Sequence, residues 1–536
     1  MRLYAFGSNG NGQLGIGSDE DTSTPQSVLN LPSNVSSSSK DAAQRYHHHH
    51  HVFAAGGNHT AIITAQDRQL LMTGSNKDCE TLLQKPSQEF RALDSSLPHD
   101  LLNTRWRSVA CGWAFTIAVT ETADNNSTAR TELPTQSPPK PINHVFAWGS
   151  GAFGELGLGK ATTKTGPRAI AIQTGALDPS TWNSIDQLEV IKVAAGLRHV
   201  LMLVKEKVVR SENAHEQEQE QEQNSSQYLS GQTSRTILLG WGNNRQGQLG
   251  VLERPGHQDG KQLPWTEKEL RGKFTEPTRL RIHHCADPTT KMQSKRQLPE
   301  IVDMACGQHH SLILFSDGTV YASGLNKYSQ LGPSFSDLET ATATTSTDKE
   351  KKARQGFRIG FERIVGLPPV DTISCGWNHN AAMNMKLDPT TIYLWGRDDH
   401  GQLGGGLALQ MVNAGGKSIP TGIVQVRLGH SSSNSDQNNE QDSSNKEVVS
   451  FSCGSEHMLA MTRSGDCYAW GWNEHGNCGD GAEETVDVNM VESEPDLKDV
   501  HQPRKVKLPL ETLSAVGSDS KSGRVMGGYG SSWAWC

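Results

Sequence analysis

The chain has 536 residues, a formal net charge of −8 and a pI of about 6.2. This acidic balance argues against a dedicated nucleic-acid-binding protein, whose surface is usually basic. No run reaches the length of about 18 apolar residues that a membrane span needs, and the first residues lack the charged and apolar regions of a signal peptide. We therefore expect a soluble intracellular protein with no membrane partner and no direct nucleic-acid binding.

The first element in the chain is a strand-like run that leads into glycine-rich sequence, LYAFGSNGNGQLGIG (3–17). Gly10, Gly12 and Gly15 have the spacing of a dinucleotide-binding turn. Such a turn opens a helix and is followed about 20 positions later by an acidic residue, and neither feature follows here. We therefore assign the glycines to tight turns, which need positive φ or close backbone approach, and predict no cofactor.

This glycine-rich sequence, which we call the loop motif, returns along the whole chain, for example as GWGNNRQGQLG and LWGRDDHGQLG. Its copies lie at residues 3–17, 72–83, 147–159, 240–250, 322–332, 394–406 and 469–481. The glycines that lead them are Gly7, Gly74, Gly149, Gly242, Gly324, Gly396 and Gly471. Because the copies recur at intervals of 67 to 93 residues, the sequence predicts a repeat protein.

A second sequence, which we call the turn motif, alternates with the loop motif and is typified by CGQHHS and CGWNHN. Its copies lie at residues 55–60, 111–116, 195–200, 306–311, 375–380, 453–458 and 526–531. Its histidines are His59, His199, His310, His379 and His457, and Phe115 and Gly530 replace them in two copies. A fixed metal site would not tolerate these replacements. We predict a structural role, in which each histidine bonds the backbone of its own or the next repeat, and no metal.

The segments between the motifs alternate in polarity with period two, as in HSLILF and TVYAS, which predicts short β-strands. Within residues 276–332 we assign EPTRLRIH to an outer strand, followed by strands in IVDMACG, HSLILF and TVYASG. A four-stranded repeat cannot bury both of its faces alone, so we predict an all-β fold, a seven-bladed β-propeller with four-stranded blades. We expect the N-terminal RLYAFG to pair with the C-terminal strands of PRKVKLP, RVMGG and SSWAWC in one closing blade.

The chain is longer than seven blades require, and the surplus is polar sequence rich in Ser, Asn, Gln and Glu. We predict a single domain, residues 1–536, with long polar insertions that stay flexible. These insertions lie at residues 33–51, 121–143, 205–235, 253–274, 334–355, 429–446 and 482–500. The five histidines at 47–51 fall in the first insertion and are interpreted as low-complexity sequence, with transition-metal binding as the alternative.

The alternation of the two motifs resembles the regulator-of-chromosome-condensation repeat family of seven-bladed propellers, over nearly the whole chain apart from the insertions. More narrowly, YAFGSNGNGQLGIG with DEDTSTPQSV, and the repeat WGWNEHGNCG (470–479), resemble the first and last repeats of the fungal alpha-tubulin suppressor proteins, also known as a killer-toxin-insensitivity factor. This resemblance implies a non-enzymatic protein of the cytoplasm and nucleus that pairs with the small zinc protein of diphthamide synthesis. It further implies support for Elongator-dependent modification of the tRNA wobble uridine and for diphthamide formation.

The candidate partner-binding residues follow the motif glycines, where the chain should turn onto a face of the propeller. Trp113, Trp377 and Trp472 stand there, and tryptophan is frequent at binding hot spots. We add Asn473, Glu474 and His475 from the same loop as Trp472. The alternative role for the tryptophans is packing between blades. The basic stretch at residues 268–285 is most simply a solvated loop and edge strand, with contact to phosphate or an acidic partner as the alternative.

Two other classes of function remain open at the level of sequence, and neither needs a catalytic or cofactor site. The founding member of the family exchanges guanine nucleotide on a Ran-like small GTPase, although this chain lacks the basic tail expected of a chromatin-bound exchange factor. A third hypothesis is a general adaptor or inhibitor of an unrelated target, because a propeller fold does not fix function.

Overall fold

The computed structural model describes residues 2–31, 51–121, 144–170, 188–208, 233–253, 266–282, 299–333, 356–405, 422–428, 446–479, 498–509 and 523–535. This part of the chain forms seven antiparallel sheets, which we number as blades in the order in which the chain first enters them. Its helices are two single turns, α1 (His99–Leu102) and α2 (Glu267–Leu270). The all-β fold class and the seven blades are therefore confirmed.

The strands of the first four blades are as follows. Blade 1 contains β1 (Leu3–Gly7), β2 (Thr22–Ser27), β28 (Arg524–Gly527) and β29 (Ser531–Trp535). Blade 2 contains β3 (Val52–Ala55), β4 (His59–Ile63), β5 (Leu70–Gly74) and β6 (Ser87–Ala92), and blade 3 contains β7 (Trp106–Cys111), β8 (Phe115–Thr120), β9 (Val145–Gly151) and β10 (Thr162–Ala169). Blade 4 contains β11 (Leu188–Ala195), β12 (His199–Val208), β13 (Thr233–Asn243), β14 (Val251–Leu252) and β15 (Lys273–Arg281).

The other three blades have four strands each. Blade 5 contains β16 (Ile301–Cys306), β17 (His310–Phe315), β18 (Val320–Leu325) and β19 (Phe357–Arg363). Blade 6 contains β20 (Thr372–Cys375), β21 (His379–Asn384), β22 (Asp388–Gly396) and β23 (Val424–Val426), and blade 7 contains β24 (Val448–Cys453), β25 (His457–Thr462), β26 (Cys467–Gly471) and β27 (Val500–Val506). Blade 4 thus departs from the predicted four strands, because the two-residue β14 adds to the outer edge of β15.

Seven hydrophobic clusters fill the seven spaces between neighbouring blades. Strand β17 contributes to two of them, because successive side chains of a strand point to opposite faces. Leu312 and Leu314 pack toward blade 6, whereas Ile313 and Phe315 pack toward blade 4. Blade faces that would be exposed in an isolated repeat are therefore covered on both sides, which explains why the repeats must close into a ring.

Blade 1 closes the ring by joining the two ends of the chain, as predicted. Strand β1 pairs with β29 in a continuous register from Leu3 opposite Trp535 to Gly7 opposite Ser531. The composition of the blade differs from the expectation, because each end contributes two strands. The segment PRKVKLP belongs to β27, which pairs with β26 as the outer strand of blade 7. EPTRLRIH is likewise the outer strand of blade 4 and not part of blade 5.

The predicted insertions fall almost entirely outside the described residues. Four of the predicted boundaries extend into regular structure, and one of them, at Val500, reaches only the first residue of β27. Residues 266–274 contain α2 and the first residues of β15, and residues 205–208 and 233–235 belong to β12 and β13. Thr266 and Glu269 close a capping box at the start of α2, which explains why this stretch of polar sequence forms a helical turn.

The opening glycines serve the turn geometry that we assigned to them. Gly7 has a φ of +103°, and a Cβ there would lie 2.5 Å from the carbonyl oxygen of Gly530. Gly12 and Gly15 also have positive φ, whereas Gly10 lies outside that region and a Cβ on it would meet no atom within 4 Å. The dinucleotide-like spacing of Gly10, Gly12 and Gly15 is thus a coincidence, and the element after this loop is the strand β2.

Candidate protein-binding face

All copies of both motifs emerge at one end of the blades, which we call the motif face. In each blade the turn motif joins the first and second strands, and the loop motif joins the third and fourth. Because neighbouring strands are antiparallel, these two connections lie at the same end of the sheet. In blade 7, for example, His457 at the end of the turn is paired with Gly471 at the start of the loop. The motif face therefore collects every candidate contact residue predicted from the sequence.

The turns of the turn motif are linked to one another around the axis by backbone hydrogen bonds. The N–H of Trp113 donates to the carbonyl of Leu197 at 3.2 Å, and that of Trp377 donates to Ser455 at 2.8 Å. The N–H of Gln308 donates in the same way to the carbonyl of Trp377 at 3.1 Å. Each of these bonds joins one blade to the next. The side chains carried by these turns are therefore held on a fixed backbone.

Three aromatic side chains meet over the axis, and we call Trp113, Trp377 and Tyr529 the axial cluster. The ring centroid of Trp113 lies 6.5 Å from that of Trp377 and 5.8 Å from that of Tyr529, and Trp377 and Tyr529 are 5.6 Å apart. The residues come from blades 3, 6 and 1, which are not neighbours, so they can meet only near the centre of the ring. Trp113 is 37 % exposed, and the other two are half-buried.

Tyr529 was missed by the sequence analysis, although a signal for it exists. The structure shifts the last copy of the turn motif by one residue from our alignment, because Ser531 pairs with Gly7 as His457 pairs with Gly471, so Ser531 and not Gly530 holds the histidine position. Tyr529 therefore follows Gly528 at the position that Trp113 and Trp377 occupy after their own glycines. The other copies carry smaller or polar residues there. An aromatic residue recurring at one exposed repeat position would have marked Tyr529 as the third member of the cluster.

The loop of blade 7 carries the remaining candidates, of which one is buried and three are accessible. Trp472 is half-buried, and its ring lies edge-on to that of His475 with the centroids 5.1 Å apart. His475 Nδ1 lies 2.6 Å from the carboxylate of Asp21 in blade 1, and Glu474 is exposed. Asn473 is 2 % exposed, and its side-chain oxygen accepts the N–H of Cys478 at 2.8 Å. Asn473 therefore shapes the loop, while Trp472, Glu474 and His475 remain accessible on the motif face.

The motif histidines lie below this surface, between blades, and are fully buried. Nε2 of His59 lies 2.9 Å from the hydroxyl of Thr116 in the next blade, and Nε2 of His310 lies 2.7 Å from Oδ1 of Asn380. His199 and His457 make the same contact to Ser311 and Ser532, at 2.9 Å each. The partner of Nε2 in each case is a side chain of the next blade.

The direction of these hydrogen bonds follows from the second partner of each acceptor. Thr116 donates its hydroxyl to the carbonyl of Glu80, so its oxygen accepts from His59 Nε2–H. Asn380 donates Nδ2–H to the carbonyl of Gln330, which turns Oδ1 toward His310. Burial lowers the pKa of His310 to about 4 and that of His59 to about 3. The histidines are therefore neutral donors at neutral pH and join adjacent blades.

Of the three departures from this pattern, blade 1 has Ser531 at the histidine position, and the other two match their surroundings. Phe115 replaces histidine in blade 3, and the residue at the Thr116 position of the next blade is Val200, which is buried in the same cluster. His379 in blade 6 keeps the ring, but the facing position in blade 7 is Met458, which offers no acceptor to its Nε2. Burial lowers the pKa of His379 to about 3. The polar contact at each seam thus depends on a pair of residues from two repeats.

Glu456, in the turn of blade 7, is a buried carboxylate that the sequence analysis did not single out. Its Oε1 accepts hydrogen bonds from Asn378 at 3.1 Å and Arg397 at 3.0 Å, and its Oε2 accepts one from Gln402 at 2.8 Å. Burial raises the pKa of Glu456, and the Arg397 guanidinium opposes the shift. All three donors belong to blade 6, so this network joins blades 6 and 7 close to the axial cluster.

The described residues contain no group of three or more His, Cys, Asp or Glu side chains placed to hold a metal ion. The motif histidines are distributed one per blade, which keeps them apart. Residues 47–50 of the five-His tract lie outside the described part of the chain. The same described ranges include no helix that is long and apolar enough to cross a membrane.

Comparison with known proteins identifies the repeats. Two models of the regulator of chromosome condensation (RCC1) repeat match the chain. One matches residues 301–330 and 448–477, and the other matches residues 2–63, 143–203 and 464–518. The matched segments include copies of the loop and turn motifs from both ends and from the middle of the chain.

Whole-chain relatives and solved structures agree with these matches. The secretion-regulating guanine nucleotide exchange factor of Mus musculus is 27% identical over 493 residues, which covers 90% of this chain and 77% of the relative. The crystal structure of human WBSCR16 has a TM-score of 0.59 at 17% identity and covers 99% of this chain and 98% of its own. Prp20p of Saccharomyces cerevisiae has a TM-score of 0.58 at 16% identity, covering 99% and 90%. At these identities the two structures show the fold alone.

Proposed function

This chain is an RCC1-repeat propeller, and from that premise we propose that it acts without catalysis, as a protein that binds a partner protein on its motif face. The observation that carries the proposal is the axial cluster of Trp113, Trp377 and Tyr529. Large aromatic side chains at the centre of a rigid surface are the usual anchors of a protein interface. The backbone bonds between the turns hold these anchors in place before binding, which lowers the entropic cost of association.

For the partner we propose the small zinc protein of diphthamide synthesis. The support is the resemblance of residues 4–17 and 470–479 to the first and last repeats of the fungal alpha-tubulin suppressor proteins. Through this partner the propeller would support Elongator-dependent modification of the wobble uridine of tRNA and the formation of diphthamide. The proposal places the protein in the cytoplasm and nucleus, where the modified tRNA and translation factor are made and used.

Co-purification from cells tests both parts of this proposal. We expect a tagged chain to recover the zinc protein, and we expect the double variant Trp113→Ala/Trp377→Ala to recover at least about ten-fold less, because truncated hot-spot residues cost about 2 kcal/mol or more. Leu387→Ala is the control, because Leu387 is 83 % exposed in the β21–β22 turn on the opposite face. Normal recovery by the double variant would remove the axial cluster from the interface. If the intact chain never recovers the zinc protein, that partner is wrong.

A second candidate function is guanine-nucleotide exchange on a Ran-like small GTPase. Two comparisons favour it: the relative from Mus musculus is named as an exchange factor, and the Prp20p structure is described with its binding properties to Gsp1p and histones. Nucleotide release from the purified GTPase distinguishes this function from the first. Release well above the intrinsic rate on addition of the chain supports exchange, and an unchanged rate rejects it. Interaction mass spectrometry that recovers neither partner would favour the general adaptor or inhibitor instead.

A further inference from the structure

A group of cationic side chains surrounds one aromatic ring on the motif face of blades 3 and 4. The Cζ of Arg198 lies 4.3 Å from the centroid of the Phe153 ring, the Nζ of Lys273 lies 4.7 Å from it, and the Cζ of Arg245 lies 5.9 Å from it. Arg271 stands beside them, with its Cζ 4.4 Å from the ring centroid of Phe357 in blade 5. We call Arg198, Arg245, Arg271 and Lys273 the cationic patch.

Aromatic rings and backbone carbonyls, more than carboxylates, position the cationic patch. Lys273 Nζ donates to the carbonyl of Ala152 at 3.0 Å, and Arg271 Nε donates to the carbonyl of Arg245 at 3.1 Å. Cation–π contacts and bonds to neutral carbonyls fix a cation but leave its charge uncompensated. Like charges are thus held close together on an exposed surface.

One carboxylate offsets part of this charge. Glu155 lies 3.8 Å from Arg198, but its side chain is only 3 % exposed and it also accepts the N–H of Phe153 at 2.6 Å. Within the described ranges, no carboxylate comes within 4 Å of the charged nitrogens of Arg245, Arg271 or Lys273. These three residues are exposed and have donors left for an external anion.

The opposite part of the motif face carries carboxylates. Glu474 in blade 7 is exposed, Asp499 lies beside His400, and Asp21 lies beside His475 where blades 7 and 1 meet. The whole chain has a net charge of −8. A long polyanion such as RNA requires a continuous basic track, and here the carboxylates of blades 7 and 1 would interrupt it. The positive field is local, which suits a short anionic segment.

We propose that the cationic patch binds a short acidic segment of a partner protein. The guanidinium groups of Arg245 and Arg271 would pair with carboxylates in the bidentate geometry that arginine favours, and Lys273 would add a point charge. Bound carboxylates would also relieve the repulsion between the clustered cations. The proposal goes beyond the function proposed above, because it concerns blades 3 and 4 and holds whether or not the zinc protein is the partner.

Fluorescence anisotropy with the full chain tests this site. The probe is a fluorescein-labelled peptide in which Asp and Glu alternate with Gly, and the reference is the same peptide with Asn and Gln. We expect the acidic peptide to bind at least about ten-fold more tightly than the amide peptide at low salt, and to weaken as salt rises. Equal affinity for the two peptides would overturn the proposal.

Matched charge reversals locate the binding. Arg245→Glu and Lys273→Glu should each weaken the acidic peptide by about ten-fold, whereas Lys386→Glu should leave it within about two-fold. Lys386 is also exposed but lies in the β21–β22 turn on the opposite face. Equal losses in all three variants would mean that only the overall charge matters and would refute the site.

The role of the ring and the class of ligand are tested in the same assay. Phe153→Ala should weaken binding of the acidic peptide. Phe153→Tyr should retain it, because the Tyr ring still contacts the cations. A fluorescein-labelled single-stranded RNA should bind more weakly than the acidic peptide. Tighter binding of the RNA would replace the proposal with a nucleic-acid interface. None of these results depends on recovery of the zinc protein, so the two proposals fail separately.

Discussion

The axial cluster and the buried histidines occupy two positions of the same turn motif, yet they differ in exposure and in variability. In blade 6, Trp377 faces the axis on the motif face, and His379 two residues later is fully buried against blade 7. The histidine position keeps one residue type in five of the seven copies, whereas the position of Trp377 carries Trp, Leu, Gln, Ser, Gly or Tyr and ranges from buried at Ser455 to exposed at Trp113. A residue type that recurs at one repeat position serves the packing of each blade against the next. A residue that varies at an exposed position is free to serve a function.

The largest effect on the free energy of unfolding is expected at one of two tryptophans in the loop motif of blade 7. Trp470 is fully buried and donates Nε1–H to the carbonyl of Gln402 at 3.0 Å, whereas Trp472 is half-buried on the motif face. We expect Trp470→Ala to lower the free energy of unfolding by about 4 kcal/mol, because it opens a large cavity, and Trp472→Ala to lower it by no more than about 1 kcal/mol. Urea denaturation followed by circular dichroism measures both. Similar losses in the two variants would show that Trp472 contributes to the core as Trp470 does.

The second prediction concerns the polar contact between blades 5 and 6. His310→Phe removes the donor to Asn380 Oδ1, so a buried acceptor loses its partner. We expect a loss of about 2 kcal/mol in the free energy of unfolding at pH 7. The double variant His310→Phe/Asn380→Val copies the natural pair of Phe115 with Val200 and should recover most of the loss. A double variant as unstable as the single one would show that the histidine contributes by packing alone.

A histidine without a polar partner should respond differently, through pH. His379 faces Met458, so His379→Phe should change stability little at pH 7. Its pKa falls from 6.5 to about 3 on folding, so the unfolded chain binds the proton more tightly and stability declines as the pH falls below 6.5. At pH 5 the variant should therefore be more stable than the parent by about 2 kcal/mol. Urea denaturation at both pH values measures the difference, and an equal pH dependence would contradict the buried neutral ring.

The smallest effect is expected at the axial cluster. Trp113 is 37 % exposed and touches Trp377 and Tyr529 only at ring distances of about 6 Å. Trp113→Ala should cost about 1 kcal/mol, less than the loss of a fully buried tryptophan, because more than a third of the side chain is already exposed and truncation leaves no closed cavity. Thermal unfolding measures this cost, and Trp148→Ala, at a fully buried tryptophan, is the destabilised control. A strongly destabilised Trp113→Ala would assign the cluster to the core, which is the alternative role that the sequence left open.

Local patterns in the sequence were sufficient to predict the repeats and the strands and turns of each blade. Period-two alternation marks strands such as β17, and the glycines Gly7 and Gly12 mark turns, because both depend on a few neighbouring residues. The assignment of strands to blades was less secure. EPTRLRIH and PRKVKLP were placed in the following blade, although they pair with β13 and β26 in the preceding one. In a uniform array of strands, sequence order does not show where one sheet ends.

The candidate site was predicted in part for a related reason. Sequence pointed to Trp113 and Trp377 singly, but 264 positions separate them and nothing local indicates that their rings lie 6.5 Å apart. The cations of the patch come from three separate segments of blade 4, and Phe153 comes from blade 3, so the cationic patch was also not predictable from local sequence.

The sequence by itself determined that this protein is a closed ring of seven sheets, because each repeat has two apolar faces and must be covered on both sides. Only the tertiary structure decided which side chains meet. Closure brings together residues of blades 1, 3 and 6 at the axis and pairs each buried histidine with a particular residue of the next blade. These contacts depend on distances across the ring, which no stretch of local sequence encodes.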